Sequence, residues 1–312
     1  MEKIATREAY GRALERLGHV REDVVVLDAD LSGSTKTALF ARSFPERFFN
    51  RGVAEANMIG HAAGLALCGK TVFASSFAMF AAGKAWEQIR QSVCVPNLNV
   101  KVVASHAGIT VGEDGASHQA LEDLACMRVL PNMTVVVPAD GPQTEAAVEA
   151  LAAFEGPAYM RVSRAATPVL EGGPPFELGK ARLLRQGSDL GLVACGVEVA
   201  ACLEAAELLA AEGVECAVLD CHTLAPLDCE ALLALARDCG RLLTVEEHQV
   251  TGGLGEAVCG VVADSPAPVP VRRHGMRGEF GQSGPAATLL RHYRLDGPGV
   301  AAVAREFLEE LG

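Results

Sequence analysis

The chain has 312 residues, half of them apolar, and a formal net charge of −12. That length accommodates two domains, each with a core of its own. The acidic balance and the lack of any Lys/Arg-rich block argue against a nucleic-acid partner, and no apolar run is long enough for a membrane span.

In chain order, the spacing predicts a first helix capped by Thr6, with Tyr10, Ala13, Leu14 and Leu17 facing inward. "DVVVLDAD" (23–30) reads as a buried strand ending in acids. A helix over 53–67, a strand over 70–75, a helix over 83–93 and a strand over 98–106 follow. A glycine-rich loop then runs to Gln119. The strand "MTVVVPAD", the helix "PQTEAAVEALAAF" and the strand "AYMRVS" complete the first half. Two Gly-Pro-rich clusters within "AATPVLEGGPPFELGK" (165–180) break the pattern and mark a linker. The alternation then restarts with strands at 189–195, 215–220 and 241–247 and helices at 198–213, 228–239 and 254–264. A final helix covers 299–311. Helices alternating with short β-branched runs predict two α/β domains with mainly parallel sheets. The domains are expected at 1–166 and 188–312, with a linker over 167–187. The ten cysteines include no C-x-x-C pair and sit in apolar contexts, as free thiols of a reducing cytoplasm do.

Parallel sheets bind ligands at the carboxyl ends of their strands, so the residues there carry the functional reading. The first half places Asp28, Asp30, Ser32, Ser34, Glu55, Ser76, Phe77, Phe80, His106, Asp114, His118 and Arg164 in such positions. Each also has a plain structural reading. Asp28 and Asp30 suit strand-end turns. Phe77 and Phe80 suit a core. "GEDG" suits a turn, although three glycines between His106 and His118 exceed what a turn requires. Arg7 begins a helix, where a cation opposes the dipole, a hint that it answers an anion. His61 is expected to pack within its helix. Glu246-Glu247-His248 lacks further ligands at metal-binding spacing, and "GGLGEAV" is an incomplete dinucleotide turn. Glu55 poses the sharpest question. It heads an apolar helix with no charged residue within three positions. It is either an acid favoured by the helix dipole or a functional carboxyl, since burying an unpaired carboxylate is costly.

The segments "ATR", "DADLSGS", "RGVAEANM", "SSFAMF", "SHAGITVGEDGASHQ" and "RVSR" occur in the order found in transketolases. With the tail "EEHQVTGGLGEAV", the chain resembles the C-terminal part of that family over nearly its whole length. The resemblance implies a pyrimidine-binding domain followed by a C-terminal domain, and thiamine diphosphate with Mg²⁺ as cofactors. Glu55 matches the carboxyl that bonds the aminopyrimidine ring and promotes loss of the thiazolium proton. Phe77 and Phe80 would flank that ring, and Asp30 would lie near the cofactor at a subunit contact. Arg7, Ser34, His106 and Arg164 match positions that hold a sugar phosphate, two arginine forks suiting a dianion. Asp114 and His118 match positions bonding sugar hydroxyls, and His106 and His118 join Glu55 as catalytic candidates. The sequence departs from the family after "SSFAMF": Gly83 and Lys84 stand where an aromatic often occurs, and the spacing to "IR" is one residue longer.

The family's Gly-Asp-Gly metal motif does not occur in this sequence. The expectation is therefore a split transketolase. A separate N-terminal subunit would hold the diphosphate and metal, in an α2β2 assembly acting on sugar phosphates. Three rivals remain: a 2-oxo-acid dehydrogenase beta subunit, a 1-deoxyxylulose-5-phosphate synthase-like enzyme, and a non-enzymatic scaffold.

Overall fold

A computed structural model describes residues 2–312. The strands in chain order are β1 (Lys3–Ala5), β2 (Val24–Asp28), β3 (Phe48–Asn50), β4 (Thr71–Phe77), β5 (Val100–Ser105), β6 (Thr134–Val136), β7 (Ala158–Val162) and β8 (Ala166–Pro168). The second half adds β9 (Arg182–Arg185), β10 (Leu190–Ala194), β11 (Cys216–Asp220), β12 (Thr223–Ala225), β13 (Leu242–Gln249) and β14 (Val271–Met276).

The chain forms two α/β domains with mostly parallel sheets. The first sheet runs β12-β6-β7-β5-β4-β2-β3, and only the β12 pairing is antiparallel. Every residue of β2, β4, β5 and β7 is buried, because helices cover both faces of the sheet. The second sheet runs β14-β13-β10-β11-β9, with β9 the antiparallel edge. The helices Glu198–Ala210 and Gly297–Leu311 supply much of the core on one face of it.

The first helix, Thr6–Val20, buries Tyr10, Ala13, Leu14 and Leu17 as its spacing predicts. Thr6 is not its cap. The capping position belongs to Ala5, and the Thr6 hydroxyl accepts a 2.6 Å bond from the Ser163 N–H, tying the helix to the end of β7. Strand β9 lies within the segment expected as a linker, and β8 pairs with β1. The helical stretch expected from residue 83 begins earlier. Met79–Lys84 and Ile89–Cys94 are π-helical, with the short α turn Trp86–Gln88 between them. A π turn absorbs extra residues in a helix without breaking it, which accommodates the one-residue-longer spacing.

The halves are stitched together by backbone. Strand β12, from the second half, extends the first sheet. Val137 N–H donates to His222 O at 2.7 Å, and Gly196 N–H to Val137 O at 3.1 Å. Among the described residues, no helix is long and apolar enough to cross a membrane.

Candidate active site

The carboxyl ends of β2, β4, β5 and β7 gather most of the expected site residues. His106 follows β5 with φ at 58°, a left-handed backbone that turns its ring away from the strand line. Arg7 Nη1 lies 3.2 Å from His106 Nε2 and donates to Ser34 O at 3.0 Å. An arginine only donates, so Nε2 accepts. The ring proton sits on Nδ1, which bonds Ser105 Oγ at 2.9 Å. Burial, then the charges of Arg7 and Arg164, push the His106 pKa down to about 3. Its ring is therefore neutral at neutral pH and accepts rather than donates at Nε2. Arg7 Nε is buried without a partner. Burial lowers the Arg7 pKa, and Arg164 adds to the lowering. Arg164 donates to Val111 O at 2.7 Å and lies 3.6 Å from both Asp114 Oδ2 and Glu113 Oε2. Cations held this closely, one with an unmet donor, suit an anion. Ser34 contributes its carbonyl to Arg7, so its hydroxyl stays available.

Four rings build a shelf beside these cations. Phe77 stacks on His106 with centroids 3.9 Å apart, and Phe80 lies nearly parallel to Phe77 at 5.9 Å. His118 meets Phe80 edge-on at 5.5 Å and takes a 2.9 Å contact from Ser117 Oγ to its Nδ1. Phe77 is buried while Phe80 is half-buried, so the plain core reading describes the first better than the second.

Glu55 opens the helix Glu55–Leu67 and is 1% exposed. It is not unpaired. Lys84 Nζ lies 2.5 Å from Glu55 Oε2, and the same ammonium sits 5.7 Å from the centre of the Phe80 ring. The contact is an ion pair by distance, although its angles do not make a hydrogen bond at Oε2. Lys84 is the site residue that pattern reading did not assign. A signal was present, since burying an unpaired carboxylate is costly and Lys84 ends the π turn that carries Phe80.

Two expected residues stand elsewhere or act structurally. Asp30 is exposed, with φ at 66°, and accepts from Asn50 Nδ2 at 3.1 Å. Asp28 is the strand-end turn former. Its carboxylate accepts from Leu31 N–H at 2.6 Å, Thr35 Oγ1 at 2.7 Å and Thr37 Oγ1 at 2.9 Å. Exposed His61 accepts from Arg51 at 2.7 Å and bonds Asn57 O at 3.0 Å within its own helix.

The Glu246-Glu247-His248 run at the end of β13 joins the domains. Glu246 caps the helix Leu254–Ala263 through Leu254 N–H at 2.7 Å and Gly255 N–H at 2.8 Å. Glu247 accepts the N–H and the hydroxyl of Thr110, each at 2.9 Å to Oε2. Behind it, buried Arg161 donates to Glu247 O at 3.1 Å and lies 3.3 Å from Asp123 Oδ2, which also accepts from Tyr159 at 2.7 Å. The Thr110 loop, which runs between His106 and His118, is thus held from the second domain.

Two family models match the chain: "Transketolase, pyrimidine binding domain" over residues 2–169 and "Transketolase, C-terminal domain" over residues 179–300. The chain belongs to the transketolase family. It is 49% identical over 308 residues to a protein of Methanocaldococcus jannaschii named as a transketolase C-terminal section, covering 98% of this chain and 96% of that one. It is 36% identical over 309 residues to one subunit of the apulose-4-phosphate transketolase of Phocaeicola vulgatus, covering 98% of both. Among solved structures, a split-gene transketolase described as an inactive β4 tetramer superposes with a TM-score of 0.91 at 51% identity, covering 98% of this chain and 99% of that one. Transketolases use thiamine diphosphate and a divalent metal. The residues present fit the aminopyrimidine half of that cofactor: a buried carboxyl whose Oε2 has no hydrogen-bond partner, beside an aromatic shelf.

Proposed function

We propose that this chain is the C-terminal subunit of a split transketolase that moves a two-carbon ketol unit between a ketose phosphate and an aldose phosphate. It acts with a separate N-terminal subunit holding the diphosphate and Mg²⁺, in an α2β2 assembly. The observation that carries this reading is the adjacency of two unlike sites: a cationic pocket of Arg7, Arg164 and neutral His106, and an aromatic shelf leading to buried Glu55.

The bound cofactor would supply a nucleophilic carbon able to accept the ketol unit. This chain's residues do the rest. Glu55 would bond the aminopyrimidine ring nitrogen and hold a proton there. Phe80 and Phe77 would exclude water from that ring. Arg7 and Arg164, with His106 and Ser34, would bind the sugar phosphate. Asp114 and His118 would orient sugar hydroxyls, with His118 placed to move a proton at one of them. Asp30, at the surface, is left for the subunit contact. The Phocaeicola relative is named as one subunit of its enzyme, and the split-gene relative is described as inactive as a β4 tetramer. Both support the need for a partner chain.

The test is reconstitution with a chain carrying the diphosphate-binding domain. Ketol transfer from xylulose 5-phosphate is expected in the mixture and in neither chain alone. Glu55→Gln should leave the fold intact, by circular dichroism, and lower turnover at saturating cofactor by about 100-fold or more. Decarboxylation of pyruvate in place of ketol transfer would favour the rival enzymes. Inactivity with every such partner would favour a scaffold.

A further inference from the structure

We infer that Lys84 is a removable counter-ion for Glu55, one that must leave when an aminopyrimidine ring binds and that therefore sets the affinity of this site for its cofactor. The inference rests on the proposed role of Glu55.

The two members of the pair differ in freedom. Glu55 is 1% exposed and fixed in the first turn of its helix, whereas the Lys84 side chain is 53% exposed. Water can take the ammonium at small cost, since a lysine stem swings readily. The carboxyl cannot follow it. The contact is also exclusive. Lys84 Nζ lies against Glu55 Oε2 while facing the Phe80 ring, so it takes both the oxygen and the space that a ring bonded to Glu55 and covered by Phe80 would need.

The chemistry of the partners is exclusive as well. The ring nitrogen of an aminopyrimidine is a hydrogen-bond acceptor. Its contact with Glu55 needs one proton between the ring nitrogen and the carboxyl, and a carboxylate spent on an ammonium has neither that proton nor a free oxygen to share it. Binding must therefore separate the pair and bring one proton, taken from solvent, into the contact between Glu55 and the ring. The cost of that exchange is subtracted from the binding free energy.

Lys84 ends the π-helical stretch Met79–Lys84 four residues after Phe80, a spacing that puts the two side chains on one helix surface. Gly83, with no side chain, offers nothing to the pocket. A chain that meets its cofactor only after joining a partner would otherwise carry a buried, unpaired acid in its free state. Lys84 removes that liability until the cofactor replaces it.

Two measurements test this. In the free chain, acetylation of Lys84 by acetic anhydride, followed by peptide mass spectrometry, should be slow and should speed up several-fold in Glu55→Gln. Equal rates would mean that no pair exists and would overturn the inference without touching the role of Glu55. In the chain assembled with its partner, Lys84→Met keeps the stem and removes the charge. Thiamine diphosphate with Mg²⁺ can be titrated by the fluorescence of Trp86, the chain's single tryptophan, two residues from Lys84. Lys84→Met should bind about tenfold more tightly than the unmodified assembly, and Lys84→Gln should do likewise. An unchanged or weaker affinity in a folded variant would overturn the inference alone. Failure of the unmodified assembly to bind thiamine diphosphate would overturn the proposed function and this inference with it.

Discussion

Arg7 Nη1 and His106 Nε2 lie 3.2 Å apart, and the arginine fixes which nitrogen of the ring carries the proton. Burial and the surrounding cations hold the His106 pKa down at about 3. Imidazole ¹⁵N chemical shifts should therefore report a neutral ring, protonated at Nδ1, from pH 8 to pH 5. Arg7→Met should raise the titration midpoint. The effect on stability has a definite sign. The folded pKa lies below the unfolded value near 6.5, so the unfolded chain takes up this proton first as pH falls. The contribution is fully present above about pH 6.5 and is lost as pH falls toward about 3. The melting temperature of the unmodified chain relative to His106→Gln should accordingly fall between pH 7 and pH 4.

If Arg7 and Arg164 hold a phosphate, their loss should affect phosphorylated sugars selectively. Arg164→Met should raise KM for a ketose phosphate by about 10- to 100-fold, the worth of one charge-assisted hydrogen bond, with a smaller change in kcat. An unphosphorylated ketose should show little difference between the two proteins. An equal loss on both substrates would mean that Arg164 only shapes the loop through Val111.

The domain joint depends on bare backbone at Gly108. This residue has φ at +76°, and a Cβ built there would meet Glu247 Cδ at 2.2 Å. Gly108→Ala should cost about 2–4 kcal/mol, from the strained backbone and the displaced carboxylate. Urea titration should show the loss. Thr110→Val leaves the backbone alone and deletes the hydroxyl bond to Glu247, so about 1–2 kcal/mol is expected there.

Glu198 is buried with neither carboxyl oxygen bonded, and burial raises its pKa well above the ordinary value. A folded pKa above the unfolded one contributes stability at low pH, and that contribution is lost as pH rises past the unfolded value near 4.3. Glu198→Gln removes the titration while keeping the shape. Its unfolding free energy, by urea titration, should gain on that of the unmodified chain as pH rises above about 4.3, by about 1–3 kcal/mol in all. A flat difference across that range would show that the carboxyl finds a partner in solution.

Much of the fold is legible in local pattern. The burial of β2, β4, β5 and β7 on both faces leaves short, mostly apolar runs, clearest in the VVVL of β2, and the first helix spells its inner face at Tyr10, Ala13, Leu14 and Leu17. Short edge strands escape such reading. β9 and β12 owe their existence to partners far along the chain, not to their own composition. The cap assigned to Thr6 failed for the same reason, because its hydroxyl answers Ser163, distant in sequence.

By itself the sequence determined which groups are available: an acid at the head of an apolar helix, two phenylalanines at helical spacing, and histidines flanking a glycine-rich loop. Residue types and periods are local properties, so they can be read without coordinates. Only the tertiary structure decided how those groups are paired. Glu55 meets Lys84, Arg7 meets His106, and Glu247 meets Thr110 across the domain boundary. Each of those pairings joins different elements. The charge a buried group feels is set by what packs against it, and sequence separation says nothing of that distance.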